Sequence, residues 1–395
     1  MRILGVNKEP PYPRSIGGTE VIIGEVFSRL AQRGHSCSMV CGTPESESFP
    51  EHEVIRGIQV YYLKTHIPLM GRGKWGYLLS RYLFFVSNYR IAEEVAKRED
   101  ADIIYEFVSP MPSAAPYVAK HLGIPCVARV WEYLGDRWHD SRDWITASIG
   151  RAVEQLTPRL PYSQFVSSSK DHQRLLIEQG HYPADRMRFV SQGIDLSRYE
   201  AATSTISGSP SILHVGRFVK VKGQLDLIRA APQILREIPS ARFVFVSDGP
   251  MLQQCQREVA RSGITDKVEF KGRIRDDELA TLYRNATVLV VPSLQECIPL
   301  VAWEAMACSV PVVLSDGPGV SEFVQQDYDA VIVKAADPDS LAQGTLRLLT
   351  DHALYNHIRQ NALETVKQFD WSNVLPTEEK MLADVISNYR KSGDT

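Results

Sequence analysis

The sequence predicts an α/β protein of two domains, each a parallel sheet wrapped by helices. Three observations lead there. Short runs rich in Val, Ile and aromatic residues alternate with helical stretches along the chain, the pattern of successive βα units. That alternation breaks at EAATSTISGSP (200–210), which is poor in large apolar residues, and then restarts, as a linker between domains requires. At 395 residues the chain exceeds what one core ordinarily organises, so two domains of roughly 150–200 residues are expected.

In the first half the strand-like runs are RILGV (2–6), SCSMVC (36–41), IQVYYL (58–63), DIIYEF (102–107), PCVARVW (125–131), QFVSSS (164–169) and MRFVS (187–191). Helical segments separate most of them; TEVIIGEVFSRLAQRG (19–34) ends on a Gly placed to cap it. After the linker come SILHVG (211–216), RFVFVSD (242–248), KVEFKG (267–272), TVLVVPS (287–293), VPVVLSD (310–316) and AVIVK (330–334). WSNVLPTEEKMLADVISNYRK (371–391) is helical in pattern, with no strand after it. The expected division is 1–200, 201–370 and a final helix in 371–395, two Rossmann-like domains joined in the middle.

Composition narrows the function classes. A hydrophobic fraction of 44% and a charged fraction of 23% are those of a soluble globular protein. The net charge of −3 gives no support for a nucleic-acid partner. MRILGVNKEPPYP lacks the apolar core of a signal peptide, and no run approaches the roughly 18 apolar residues of a membrane span. The longest candidate, YLLSRYLFFV (77–86), is interrupted by Arg81. A cytoplasmic location is expected. The six cysteines lie mostly in apolar patterns without a metal-ligand cluster, so buried free thiols are expected.

The most informative local feature is the pair Glu296 and Glu304 in SLQECIPLVAWEAMACSVPVV. VLVVPS reads as a buried strand and PLVAWEAMA as a helix with Pro299 at its first position. Glu296 then occupies the loop at the strand's carboxyl end, and Glu304 lies about two turns into the helix. That edge of an open α/β sheet is where ligands bind, with a helix amino terminus available to an anion. Carboxylates on both sides of an anion site suit a phosphate flanked by hydroxyl-rich groups, as in a nucleotide sugar. HVGRFVKVKG (214–223) places Gly216, Arg217 and Lys222 between a strand and a helix. The Arg fork and the Lys charge suit a diphosphate; taken alone, they equally suit two surface cations in a turn. The glycine spacing is not that of a P-loop. SDGPM (247–251) supplies Gly249 at the same edge, and IGGTE (16–20) supplies Gly17 and Gly18 after the first strand. Glycines there let backbone amides approach a phosphate or sugar.

Together, and with the E-x7-E spacing, these motifs resemble the retaining glycosyltransferases of family 4. The resemblance spans nearly the whole chain and is sharpest over 211–325. There HVGRFVKVKG, SDGPM, VEFKGRIRDDELATLYRNATVLVVPSLQE, WEAMACSVPVV and SDGPGVSEFV follow the family order; LAQRGH, GIPCV and QGIDLSRY extend it into the first half. It implies the GT-B fold, with two Rossmann-like domains facing each other across a cleft and a C-terminal helix crossing back to the first. It also implies a nucleoside-diphosphate sugar as donor, with uridine as the base. Arg217 and Lys222 would hold the diphosphate and stabilise the departing nucleotide. Glu296 would contact the transferred sugar and Glu304 the ribose. Gly17, Gly18, Gly216, Gly249, Ile298, Leu300 and Val301 would complete the donor site. Family members are thought to react on the front face, so no nucleophile is assigned; the two carboxylates about 5 Å apart of a retaining glycosidase do not follow from the spacing. Cationic side chains do the neutralising, so neither metal nor cofactor is expected.

The chain also departs from the pattern. Pro299 removes one amide donor, Ser309 stands in place of a frequent glycine, and Gln192 in place of an Asn. The strand that ends in a donor-side histidine in many relatives ends here at Trp131–Glu132. Glu132, Asp136 and Glu106 are candidates for sugar or acceptor contacts, or are ordinary loop acids. The acceptor is a glycan, a lipid-linked sugar or a small molecule. GRGKWGYLLSRYLFFVSNYR (71–90) mixes cations and aromatics; a core helix with snorkelling cations is favoured over peripheral membrane contact at the inner face. A sugar-nucleotide epimerase of the same fold, or a non-catalytic nucleotide-sugar-binding subunit, is the alternative function.

Overall fold

The computed structural model describes residues 1–12, 18–42, 50–63, 74–109, 111–135, 138, 144–199, 209–296 and 298–393. They form two compact units, one of residues 1–192 with 375–395 and the other of residues 193–374. The boundary falls at Gln192/Gly193 rather than at 200/201, because the chain is already tied into the second unit there. Ile194 N donates to Phe369 O at 2.9 Å and Trp371 N to Ile194 O at 3.1 Å. The linker itself (200–208) lies outside the described residues.

Unit 1 runs β1 (Arg2–Asn7), α1 (Gly18–Gln32), β2 (Ser36–Cys41), β3 (His52–Ile55), β4 (Ile58–Tyr62), α2 (Lys74–Arg98), β5 (Ile103–Val108), α3 (Ala115–Leu122), β6 (Cys126–Val130), α4 (Trp144–Leu156), β7 (Gln164–Ser167), α5 (Lys170–Glu178) and β8 (Met187–Phe189). The strand order is β3-β4-β2-β1-β5-β6-β7-β8. All pairings are parallel except β3 with β4, an antiparallel edge hairpin that the sequence reading missed. Leu4, Val6, Ile104, Val118, Ala128 and Phe165 belong to one buried cluster between sheet and helices.

Unit 2 contains β9 (Ser211–Val215), α6 (Gln224–Glu237), β10 (Arg242–Val246), α7 (Leu252–Arg261), β11 (Val268–Gly272), α8 (Asp276–Asn285), β12 (Val288–Val291), α9 (Leu300–Ala307), β13 (Val312–Ser315), β14 (Val331–Val333), α10 (Pro338–Thr350) and α11 (His352–Lys367). Its sheet is parallel throughout, in the order β11-β10-β9-β12-β13-β14. The strands read as unbroken apolar runs because both faces are covered. Ile212, Phe243, Phe245, Val288 and Val290 pack on one face, Leu213, Val246, Leu289 and Val291 on the other. Each such side chain contributes about 1.5–3 kcal/mol on burial. The order reverses between β9 and β12, which makes the carboxyl end of that pair the switch point of the sheet.

The final helix, α12 (Trp371–Gly393), begins in unit 2 and from Leu375 belongs to unit 1. Within unit 1 it sets Glu378 against Arg129 of β6, both 1% exposed; Arg129 also donates to Tyr105 Oη at 2.7 Å and Ser168 Oγ at 2.7 Å. No described helix is long and apolar enough to cross a membrane. Within 71–90 the backbone is helical from Lys74, but the side chains before Phe84 lie outside the described ones. Cys37, Cys41, Cys126, Cys255 and Cys308 are buried free thiols.

Candidate donor site in unit 2

The loops that follow β9, β10, β12 and β13 meet at one edge of the sheet. Beyond β9, the loop of Gly216 and Arg217 is pinned by Phe218, which is fully buried. Phe218 N donates to Asp248 O at 2.7 Å, and Met251 N to Phe218 O at 3.0 Å. Gly249 lies between these bonds with φ +149°, where a Cβ would sit 2.6 Å from Phe218 O. The glycine is thus required by close approach of two loops.

A short turn, Lys220–Lys222, leads into α6 through Gly223. Gly223 has φ +68°, and a Cβ there would stand 2.0 Å from Pro292 O. Leu294 N donates to Val221 O at 2.8 Å, so the loop after β12 is fastened directly to the Lys220–Lys222 turn. This fastening sets Glu296 beside Lys222. Lys222 Nζ lies 2.5 Å from Glu296 Oε1, which also accepts from Ser293 Oγ at 2.7 Å. The pair is partly buried, with side-chain exposures of 27% and 12%. Arg217 is exposed, and its guanidinium has no ion-pair partner among the described residues; its carbonyl is held by Gln224 Nε2 at 2.8 Å.

Glu304 lies on α9. That helix starts at Leu300, since Pro299 (φ −82°, ψ 73°) is its cap and not its first helical residue. Glu304 therefore sits little more than one turn into the helix, where the sequence suggested two. Tyr283 of α8 donates to Glu304 Oε2 at 2.6 Å. Beside it Trp303, 1% exposed, stacks on Phe369 with ring centroids 4.2 Å apart. Ile298 is buried, and Leu300 and Val301 are half-buried at the start of the helix.

Under Gly216 lies His214, 1% exposed. Its Nδ1 is 2.9 Å from Val290 O across the β9–β12 junction, and a carbonyl only accepts, so Nδ1 carries the proton. Nε2 has no hydrogen-bond partner among the described residues and lies toward Gly216. It would be 3.4 Å from a Cβ placed on Gly216, and Lys222 Cδ 3.7 Å from the same point. Burial, and then the Lys222 charge, push the imidazole down to about 4, against the raising effect of Val290. It is neutral at ordinary pH.

The candidates in unit 1 are placed differently. Glu106 lies inside β5, which continues to Val108; it is 2% exposed, and its carboxylate accepts from Ser113 N and Tyr162 Oη. That placement does not offer it to a sugar. Trp131, at the position of the missing histidine, turns into the core and stacks on Phe107 at 6.2 Å. Glu132 is exposed, on a loop that buried Glu154 anchors by accepting from Leu134 N at 2.7 Å and Gly135 N at 2.8 Å. Burial raises the Glu154 carboxyl above its ordinary range. Asp136 and Gly17 lie outside the described residues; Gly18 is the first residue of α1. The described residues contain no cluster of His, Cys, Asp and Glu that could hold a metal ion.

Sequence reasoning missed His214, Tyr283, Ser293 and Glu154. Ser293 carried a signal, three residues before Glu296 at a strand end; the others are remote in sequence from what they touch.

Residues 198–365 match the family described as "Glycosyl transferases group 1", and residues 16–198 match "Glycosyltransferase Family 4". A D-inositol 3-phosphate glycosyltransferase of Salinispora arenicola is 30% identical, over 98% of this chain and 92% of that one. Among solved structures, the sucrose-phosphate synthase of Thermosynechococcus elongatus superposes with a TM-score of 0.81 at 20% identity, covering 98% of this chain and all of that one. Anabaena HepE, solved in complex with UDP-glucose, gives 0.74 at 19% identity, over 97% of this chain and all of that one. The chain is a glycosyltransferase of group 1 and family 4, an enzyme of the GT-B fold.

Proposed function

We propose that the enzyme transfers a sugar from a uridine-diphosphate sugar to a hydroxyl-bearing acceptor with retention of the anomeric configuration. One observation supports this most. At the switch point of the unit 2 sheet Lys222 and Glu296 form a partly buried pair, with an exposed Arg217 five residues before Lys222 and Glu304 on the helix that follows the Glu296 loop. Arg217 and Lys222 give a diphosphate two cations and would stabilise the charge that develops on it as it departs. The Lys222–Glu296 pair has an exchangeable partner: phosphate oxygens compete for Lys222, which releases Glu296 toward sugar hydroxyls. Glu304 would accept from the ribose. Two side-chain cations do the work a divalent metal does elsewhere, so the reaction should need no metal. UDP-glucose, bound by a structure of the same fold, is the first donor to try. D-inositol 3-phosphate, from the name of the Salinispora relative, is the first acceptor; a glycan or lipid-linked acceptor comes next.

The test is product analysis by proton NMR with an α-linked donor, acceptor present or absent, with and without EDTA. The expected product is α-linked and its rate is unchanged by EDTA. A β-linked product would end the retaining assignment, and loss of activity in EDTA the metal-independent one. Conversion of the donor to an isomeric nucleotide sugar without acceptor would identify an epimerase instead.

A further inference from the structure

Two tyrosines converge on Glu304 from separate parts of unit 2. Tyr283, on α8, is fully buried and donates to Oε2 at 2.6 Å. Tyr199, which follows the turn Leu196–Arg198, sets its ring against Tyr283. The two rings stand edge to face, 6.4 Å apart at 72°. Both phenols are held above their ordinary range, first by burial and then by the Glu304 charge, so both keep their protons.

A glutamate's terminal torsion is broad and roughly two-fold, and an unrestrained carboxylate on a helix surface points in many directions. A carboxylate has about four acceptor positions. The Tyr283 phenol fills one of them, and the Tyr199 ring packed on Tyr283 holds that phenol in place, so the group is restrained and the remaining positions have a set direction. A site held in this way rejects a ligand that lacks the matching hydroxyl, because its polar groups are then left desolvated and unanswered. A carboxylate that can swing adapts and discriminates little.

We infer that Tyr199 and Tyr283 are positioning residues that orient Glu304 and so make the enzyme select ribonucleotide donors over those lacking ribose hydroxyls. The inference rests on the reading of Glu304 as the ribose contact.

Binding of uridine diphosphate and of 2′,3′-dideoxyuridine diphosphate, measured by calorimetry, tests it. The native enzyme should bind the ribonucleotide at least tenfold more tightly, as loss of hydrogen bonds to a charged group implies. Glu304→Gln should bring the two affinities together. Tyr283→Phe should reduce the ratio to threefold or less, chiefly by weakening the ribonucleotide, with dideoxynucleotide affinity changed by less than threefold. Tyr199→Phe, a smaller disturbance to the core, should move the ratio in the same direction. Equal weakening of both ligands by both tyrosine variants would mark a structural role and overturn the inference. So would an unchanged ratio in both, or a ratio that survives Glu304→Gln. If the native enzyme binds both nucleotides equally, the inference fails while the diphosphate site stands. If it binds neither, the donor reading fails with it.

Discussion

His214 should make this enzyme lose stability in mild acid. In the unfolded chain its imidazole titrates at the ordinary 6.5, whereas in the folded protein it is pushed down to about 4 by burial and by Lys222. Between those values the unfolded chain binds a proton that the native chain refuses, so stability rises with pH in that window. The contribution is whole above pH 6.5 and is lost as the pH falls toward 4. The full difference amounts to about 3 kcal/mol, and about 2 kcal/mol of it is gone by pH 5. Because the ring is 1% exposed, solvent screening removes little of this. His214→Gln keeps a donor for Val290 O but cannot titrate. Urea unfolding at pH 7.5 and pH 5.0 should therefore show the native protein losing about 2 kcal/mol more than the variant. At a denaturant slope of roughly 2 kcal/mol/M that is about 1 M in midpoint. Comparing each protein with itself cancels both the starting cost of the substitution and the titration of every other group. Equal losses in the two proteins, within about 0.5 kcal/mol, would show that the native imidazole titrates normally and refute the tautomer argument.

Other substitutions probe the backbone and the buried ion pair. Gly223→Ala would drive a methyl to 2.0 Å from Pro292 O at φ +68°; a loss of at least about 2 kcal/mol in urea unfolding is expected. Ser309 has φ +54°, where a side chain is strained, so Ser309→Gly should raise the free energy of urea unfolding by up to about 1 kcal/mol. Arg129→Met leaves Glu378 as a buried charge without its guanidinium and should cost about 3–5 kcal/mol, most of it recovered in the Arg129→Met, Glu378→Met double variant. Failure of the double variant to recover would show that Arg129 matters through Tyr105 and Ser168 instead.

Much of the fold was legible because parallel strands covered on both faces are forced to be apolar throughout. Runs such as VLVV and VVLS carry that signature. The same physics hides what departs from it. β3 is four residues of an edge hairpin whose burial follows no clean alternation, so HEVI carries no strand signal. Pro299 has a φ suited to a first helical position, but its ψ of 73° is invisible in sequence, and so the helix begins one residue later than it reads. The compact boundary at Gly193 depends on backbone bonds between Ile194 and residues 369–371, whereas composition changes only from residue 200. Ser309, noted as an oddity in place of a glycine, turns out to occupy a left-handed position, which explains why glycine fits there.

Which carboxylates are available for chemistry was the hardest thing to read, because a glutamate at a strand's carboxyl end is necessary for a site at that edge but not sufficient. Glu106 and Glu296 read alike in sequence, each after an apolar run, although β5 carries on past Glu106 to Val108 while Glu296 lies in the loop beyond β12. Their partners separate them. Glu106 accepts from a backbone amide and a buried phenol, donors that an incoming sugar could displace only by leaving both desolvated inside unit 1. Glu296 faces a lysine whose side chain is 27% exposed and a serine hydroxyl, and a phosphate can take the lysine over while its charge stays compensated. Replacing the Glu296 carboxylate by an amide should therefore impair transfer by two orders of magnitude or more, in the range of lost preorganised contacts, and leave folding nearly intact. Glu106→Gln should do the reverse, lowering stability and leaving the kcat of the folded fraction near that of the native enzyme. If unfolding midpoints and turnover fall together in both variants, partner exchangeability does not distinguish a working carboxylate from a structural one in this fold.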